Sequence, residues 1–426
     1  MRTLRRLLTG QLALGAYWSM LDQAVLSGLN LLIGMMFIRF SSKPDYALYS
    51  QVIALMYLTT SVQSSLINSP ALSVLPKVRP HRKLALASGF LFWQSTLSVA
   101  TVVVTALSLF LFPSLLNNAS DVSFGWVALA AGMTIFTAWL RDFIRNQIYI
   151  EMRPFACLLL DCSYALLLAL GLGALGYWHR VDARWVLILS AAIALLTTLP
   201  FFRLAGLSRT RPRIGVVWRK ALRLGKWALP AGVVLWVFGN GYVLLCARLV
   251  GVDATAEVVA ARLFMAPLGM VFLAWANIFR PRASRWVAGK QWDMLLRASA
   301  LAVLAILVLV VAYTAAFLLA YPFLQQHALG GKYGNIRQEI LIWAVFFLFG
   351  GVCSIATGVL MALENYKSTF VASLLGAGTS LPLMIVLAGR YHKAGVMLGL
   401  VIGQLAVAIY LFAVVRRMIA DRRATA

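Results

Sequence analysis

The chain has 426 residues, of which 62% are hydrophobic and only 12% charged, and its mean hydropathy is +0.85. Soluble domains are about half apolar and carry roughly 25% charged residues, so this composition excludes a water-soluble globular protein and describes a polytopic membrane protein. At about 20 apolar residues per crossing, the length holds on the order of a dozen helices and no sizeable soluble domain. A net charge of +25 would suggest nucleic acid in a soluble protein; in a membrane protein, where the charge sits decides its meaning.

In chain order, the runs that can span are Leu12–Ile38, Ala47–Pro70, Leu84–Phe112, Phe124–Thr137 (continuing toward Ile150), Phe155–Tyr177 and Trp185–Phe202. After a break come Trp227–Val250, Val258–Ile278, Ala298–Leu319, Ile340–Ala362, Thr369–Leu387 and Val396–Val415. Each is expected to be helical, because hydrocarbon offers no partner for an unpaired backbone group. The basic, then apolar, start Met1–Met20 resembles a signal peptide but lacks a small-residue cleavage site. It is taken as the beginning of the first helix.

The break in the middle, Arg203–Lys226, carries eight Lys/Arg and no acid. It divides the chain into a six-helix lobe (residues 1–202), a basic connector (203–226) and a second six-helix lobe (227–426). Within the connector, Arg209-Thr-Arg-Pro-Arg should be extended because of its proline. Val216–Lys226 mixes apolar and basic residues as an interfacial helix does, against anionic lipid headgroups.

Counting loops alternately, 28 of the 38 Lys/Arg fall on the side that holds both termini and the connector, and nine on the other. That asymmetry predicts cytoplasmic termini. It also accounts for most of the positive charge as a topology signal, so nucleic acid is not an expected partner.

The two halves share landmarks at nearly constant offsets. Asn30 and Asn240 are 210 apart, Arg39 and Arg248 are 209, and Pro70 and Pro281 are 211. Pro113 and Pro322 are 209 apart, and Glu151 and Glu364 are 213. Six spans is an even number, so both copies insert the same way up. The expected fold is therefore all-α, two six-helix lobes related by a pseudo-twofold axis along the membrane normal.

Several short patterns carry a resemblance to a known family. They are Phe37-Ile-Arg-Phe with the loop Ser41–Tyr46, Arg141-Asp-Phe-Ile-Arg-Asn-Gln, Trp227-Ala-Leu-Pro, Leu329-Gly-Gly-Lys-Tyr and Leu360-Met-Ala-Leu-Glu-Asn-Tyr-Lys. In their order and spacing they resemble the oligosaccharide-lipid flippases of the multidrug/oligosaccharidyl-lipid/polysaccharide exporter superfamily, the group of O-antigen and exopolysaccharide repeat-unit translocases. The resemblance covers nearly the whole chain. It implies two lobes that open alternately to each side, an undecaprenyl-diphosphate-linked oligosaccharide as substrate, a bacterial inner-membrane location and polysaccharide assembly proteins as possible partners. Peptidoglycan lipid flippases of the superfamily usually carry fourteen spans, and twelve here argue against that subgroup.

A diphosphate crossing a bilayer needs cations in a polar cleft, and the planar fork of arginine suits phosphate oxygens. Arg39 and Arg248 end helices 1 and 7, and Arg262 lies about a turn inside helix 8. They form either an outer basic ring for the diphosphate or a set of snorkelling anchors. Helix 8 holds no acid, so Arg262 either goes without a carboxylate or pairs with Glu257, just before that helix. Arg141 and Arg145, four apart on one face, either receive the diphosphate from the cytoplasm or anchor the helix. Asn30 and Asn240 join the candidate substrate contacts. Asp22 and Asp161, inside spans, are candidates for proton or sodium coupling, or simply hydrogen-bond to neighbouring helices.

No enzyme signature is present, and no cofactor or metal site is expected. The four cysteines lie in apolar runs without a CxxC, and the four histidines lie in loops without ligand spacing. Two rivals to the flippase reading stand. A multidrug antiporter of the same superfamily would use buried carboxylates for cationic drugs. A membrane glycan polymerase or ligase would show a large outer loop or paired catalytic side chains.

Overall fold

Helix follows wherever the apolar runs lead. The computed structural model describes residues 2–111, 116, 123–202, 214–327, 332–333 and 335–424. The helices are α1 (Arg2–Phe40), α2 (Lys43–Gln63), α3 (Ser69–Val74), α4 (Pro80–Leu111), α5 (Phe124–Ile150), α6 (Pro154–Tyr177) and α7 (Ala183–Thr198). They continue with α8 (Ile214–Leu249), α9 (Val252–Ala288), α10 (Trp292–His327), α11 (Arg337–Ala362) and α12 (Tyr366–Ala424). No strand occurs among the described residues. The landmarks Pro113 and Leu329, and the stretch Arg209-Thr-Arg-Pro-Arg, lie outside them.

Ten of these helical segments are long and apolar enough to cross a membrane, which makes this a multi-pass membrane protein. The last of them, Lys367–Arg423, is two helices joined at His392, where φ is 50° and ψ −129°. The second expected crossing is a composite rod: α2, a π-helical turn at Ser64–Asn68, then α3. It is too polar to pass the same test because its polar side chains are spent inside the protein. Gln63 is fully buried and donates to Trp139 O at 2.6 Å and to Gln94 Oε1 at 3.0 Å, tying α2 to α5 and α4. Trp139 Nε1 in turn donates to Thr59 Oγ1 at 3.3 Å.

By packing, the chain forms two compact units, Met1–Val233 and Val234–Ala426. In the first, α1 packs on α6, α5 on α4 and α7, and α2 on α5. The division falls within α8, because Ile214–Leu249 is one helix that runs through Lys226 without a break. Its beginning docks on the first unit: Trp218 stacks on Trp93 at 4.2 Å, Trp93 Nε1 donates to Ile214 O at 3.1 Å, and Val217 is buried. A Cβ on Gly225 would lie 2.6 Å from Leu66 Cδ2 and 3.0 Å from Ser65 O, so a larger residue there would require the Leu66 side chain to move and the π turn to give slightly.

In the second unit, α11 packs on α9, α10 and α12. The two halves of α12 form an antiparallel hairpin, closed by Gly395, Gly399 and Gly403 at four-residue spacing. A Cβ on Gly399 would sit 2.6 Å from Met384 N, and one on Gly403 2.7 Å from Ser380 Cβ. Close approach of backbones through a small-residue stripe is how helices associate where lipid removes the hydrophobic drive.

The offsets read from sequence have a backbone counterpart. Met152 (φ 56°) and Glu364 (φ 61°) both stand in the left-handed region just after α5 and α11. Around them the same pair of helix-closing bonds recurs: Met152 N to Tyr149 O with Arg153 N to Ile148 O, and Glu364 N to Met361 O with Asn365 N to Leu360 O. The conformational match pairs Met152, rather than Glu151, with Glu364. His179 and His392 likewise both have positive φ between the last two helices of each half.

Candidate functional site

Helical spacing assembles the first unit's polar centre. Arg141, Arg145 and Tyr149 recur every four residues along one face of α5, and Cys157 and Asp161 do so on α6. Asp22 of α1 completes it. Asp22 and Asp161 have no solvent exposure. A buried carboxylate requires a counter-charge, and both have one: Arg141 Nη2 donates to Asp161 Oδ1, and Arg145 Nε lies 2.8 Å from Asp161 Oδ2. Arg145 Nη2 also donates to Asp22 Oδ2 at 2.8 Å, and Tyr149 OH donates to the same oxygen at 3.1 Å.

The other atoms of the cluster set its character. The Arg141 guanidinium lies over the Tyr164 ring at 4.0 Å, and Asp142 Oδ1 stands 3.8 Å from Arg145 Nη1. Asp22 Oδ1 is buried with no hydrogen-bond donor on it. Asp22, Cys157 and Asp161 each present a ligand atom, all within 4.8 Å of one another. Two carboxylates suit a proton or a hard monovalent cation, while the thiol adds nothing for such an ion.

The structure therefore brings together four residues that the sequence offered for two separate jobs. Arg141 and Arg145, expected as a diphosphate receptor or an anchor, are each committed to a buried carboxylate. Asp22 and Asp161, expected as coupling groups, are the acids they hold. Tyr149, Tyr164 and Cys157 were not foreseen. For Tyr149 and Cys157, places four residues from a charged partner, at 145 and 149 and at 157 and 161, were the available signal, and Tyr164 stands three residues after Asp161.

The second unit has a different centre. Arg262 of α9 is half-buried and donates from Nη1 to Tyr242 OH at 3.0 Å. Its guanidinium faces the Tyr242 ring at 5.2 Å and the Trp343 ring at 5.4 Å. Trp343 is buried and fixed by its own Nε1–H bond to Val258 O at 2.9 Å. Glu257, the alternative partner left open by the sequence, goes elsewhere: it pairs with Lys393 of the α12 hairpin, whose Nζ also lies 2.8 Å from Glu339 Oε1. The reason is geometric. Glu257 lies five residues before Arg262, on another side of α9, and faces the hairpin bend. Among the described residues no carboxylate pairs with Arg262.

The remaining candidates lie apart from these centres. Arg39 and Arg248 are exposed in the last turns of α1 and α8, where a cation also complements the helix dipole. Asn30 is exposed on α1 and Asn240 half-buried on α8.

No family model matches the chain, and no curated protein matches it in sequence. Solved structures do match in fold. A lipid II flippase MurJ in an inward closed conformation superposes with a TM-score of 0.75 at 15% identity, covering 94% of this chain and 87% of that one. An inward-facing multidrug resistance MATE transporter of the MOP superfamily gives 0.75 at 14% identity, covering 93% and 95%. A mutant of the Vibrio cholerae MATE transporter VcmN gives 0.62 at 14% identity, covering 97% of each chain. The chain thus has the fold of the multidrug/oligosaccharidyl-lipid/polysaccharide exporters, and its structural neighbours are transporters and flippases rather than enzymes.

Proposed function

We propose that this protein flips a polyprenyl-diphosphate-linked oligosaccharide from the cytoplasmic to the outer leaflet of a bacterial inner membrane, with both termini cytoplasmic. Arg262 carries the reading. An arginine inside a span normally has its charge offset by a carboxylate. This one is held by two aromatic faces and a hydroxyl, so guanidinium N–H groups remain for phosphate oxygens. Likeness in fold to a lipid II flippase is consistent with a lipid-linked substrate. Asn30, exposed along an apolar span, supports a polar cleft beside α1 for the sugars, since lipid would leave its amide unsatisfied. Arg39, Arg248 and Asn240 serve as further contacts along the route.

The multidrug reading is weaker on one observation. Cationic drugs need an available carboxylate, and the carboxylates of Asp22 and Asp161 already hold guanidinium groups. Those same acids favour coupling instead. A proton or sodium ion arriving on Asp22 Oδ1 would compete with Arg145 for the carboxylate and loosen α1 from α5.

The test is translocation of a lipid-linked oligosaccharide in proteoliposomes containing this chain alone, with and without an imposed proton or sodium gradient. Arg262→Ala is expected to lower the rate about tenfold or more, as loss of a charge-assisted hydrogen bond implies, and Arg262→Lys to retain part of it. Full activity of the Ala variant removes Arg262 from the site. Gradient-driven export of a cationic dye with no lipid transfer replaces the flippase with the antiporter.

A further inference from the structure

In the second unit, α11 and the latter half of α12 leave a groove of about 650 Å³ whose walls are Phe349, Val352, Ile409 and Phe412. Toward its C-terminal end it is lined by Arg416 and Arg417, and among the described residues no acid lines it. Ala408, which lines it, is buried together with Cys353 and Leu411 in the α11–α12 core. The groove exists because residues 408, 413 and 420 are alanines where larger side chains would fill it.

Depth identifies what fits. From Val396, where the apolar run begins again after the hairpin bend, to Arg416 is about 30 Å of helix, the thickness of the hydrocarbon core. The arginines therefore stand at one membrane interface. From Ala408 to Ala420 is about 18 Å, a little more than the roughly 15 Å of a single leaflet. The groove thus runs from near mid-bilayer to a headgroup plane, where two guanidinium groups line it.

We propose that this groove is a specific site for an anionic phospholipid, with one acyl chain between α11 and α12 and the phosphate on Arg416 and Arg417. The orientation proposed above makes it a site for the cytoplasmic leaflet. Guanidinium forks bind phosphate oxygens bidentately, and basic pockets between transmembrane helices on that side select anionic headgroups. A zwitterionic lipid brings its own cation to the same two arginines and loses most of the gain. The occupied groove fills the space between the α12 hairpin and α11, so the lipid acts as a structural ligand of the second unit.

The test uses the full chain purified in neutral detergent, with phosphatidylglycerol or phosphatidylcholine added, read by native mass spectrometry and thermal unfolding. Phosphatidylglycerol is expected to be retained and to raise the unfolding midpoint, and phosphatidylcholine to do neither. Arg416→Gln with Arg417→Gln should weaken phosphatidylglycerol about thirtyfold, roughly fivefold per arginine. Ala413→Trp, at an exposed position, should abolish retention by filling the groove with its charges intact. Equal retention of both lipids, or an unchanged affinity in the double Gln variant, overturns the proposal. So does displacement of phosphatidylglycerol by a polyprenyl phosphate, which would make the groove a seat for the transported lipid. None of these readouts depends on transport, so a failure here is separate from failure of the flippase reading.

Discussion

Replacing Asp161 with Asn tests whether the α1–α5–α6 cluster holds the first unit together. Asp161 is fully buried and answers both Arg141 and Arg145, whose side chains are 12% and 17% exposed. Removing one partner of a buried pair costs about 3–5 kcal/mol, because the other charge is left unanswered. Arg145 would keep Asp22 at 2.8 Å and Asp142 at 3.8 Å, so Arg141 bears the loss. Its contact over Tyr164 offsets up to about 2 kcal/mol, which leaves roughly 1–3 kcal/mol of destabilisation. Asp22→Asn should cost less, about 1–2 kcal/mol, since Arg145 retains Asp161. The assay is equilibrium unfolding in detergent for Asp161→Asn, Arg141→Gln and the double variant. The double variant should regain at least about 1.5 kcal/mol relative to the sum of the single ones. Additivity within about 0.5 kcal/mol, or a wild-type midpoint for Asp161→Asn, would refute the argument.

Other expectations follow from the second unit and the turns. Gly399→Val should open the α12 hairpin, because its Cβ meets the backbone at Met384; a loss of about 1–3 kcal/mol and a poor yield of folded protein are expected. Gly378→Ala, with nothing within 4 Å of the added carbon, should be neutral or stabilise by up to about 1 kcal/mol in the same unfolding measurement. Lys393→Met should cost about 1–3 kcal/mol, because Glu339, buried against it, loses its cation; the partial exposure of Lys393 keeps the figure below that of a fully buried pair. Glu364→Gly should raise the unfolding midpoint, since glycine takes positive φ without the roughly 1–2 kcal/mol cost of an L side chain.

Much of the architecture was legible in the residues, because apolar length in lipid leaves the backbone little choice but helix. The polar rod from α2 to α3 shows the limit of that logic. Gln63 and its neighbours face the interior, so the rod departs from the hydropathy rule while still folding as helix. The continuity through Lys226 was not legible either: Val216–Lys226 was expected as a separate interfacial helix, yet it runs on into the span with Trp218 stacked on Trp93, and no local pattern reports a contact across 125 positions. The candidate site was half visible. Asp22, Arg141, Arg145 and Asp161 were conspicuous as charges in apolar runs. Their pairing was hidden, since Arg145 meets Asp22 from 123 residues away. Whether Glu257 answers the nearby Arg262 was open in the sequence; it pairs with Lys393, 136 residues distant.

The turns after α5 and α11 separate what a backbone fixes from what it leaves to the side chain. Met152 and Glu364 share a left-handed backbone and the same closing bonds, yet their side chains have nothing in common. Glycine would be the cheaper occupant, and neither copy uses it. What the two corners share is a path of the main chain, dictated by two helices that must reverse within three residues. The side chains over it differ, each tolerating the same positive φ. A comparison of the two corners is therefore better made in dihedral angles than in letters.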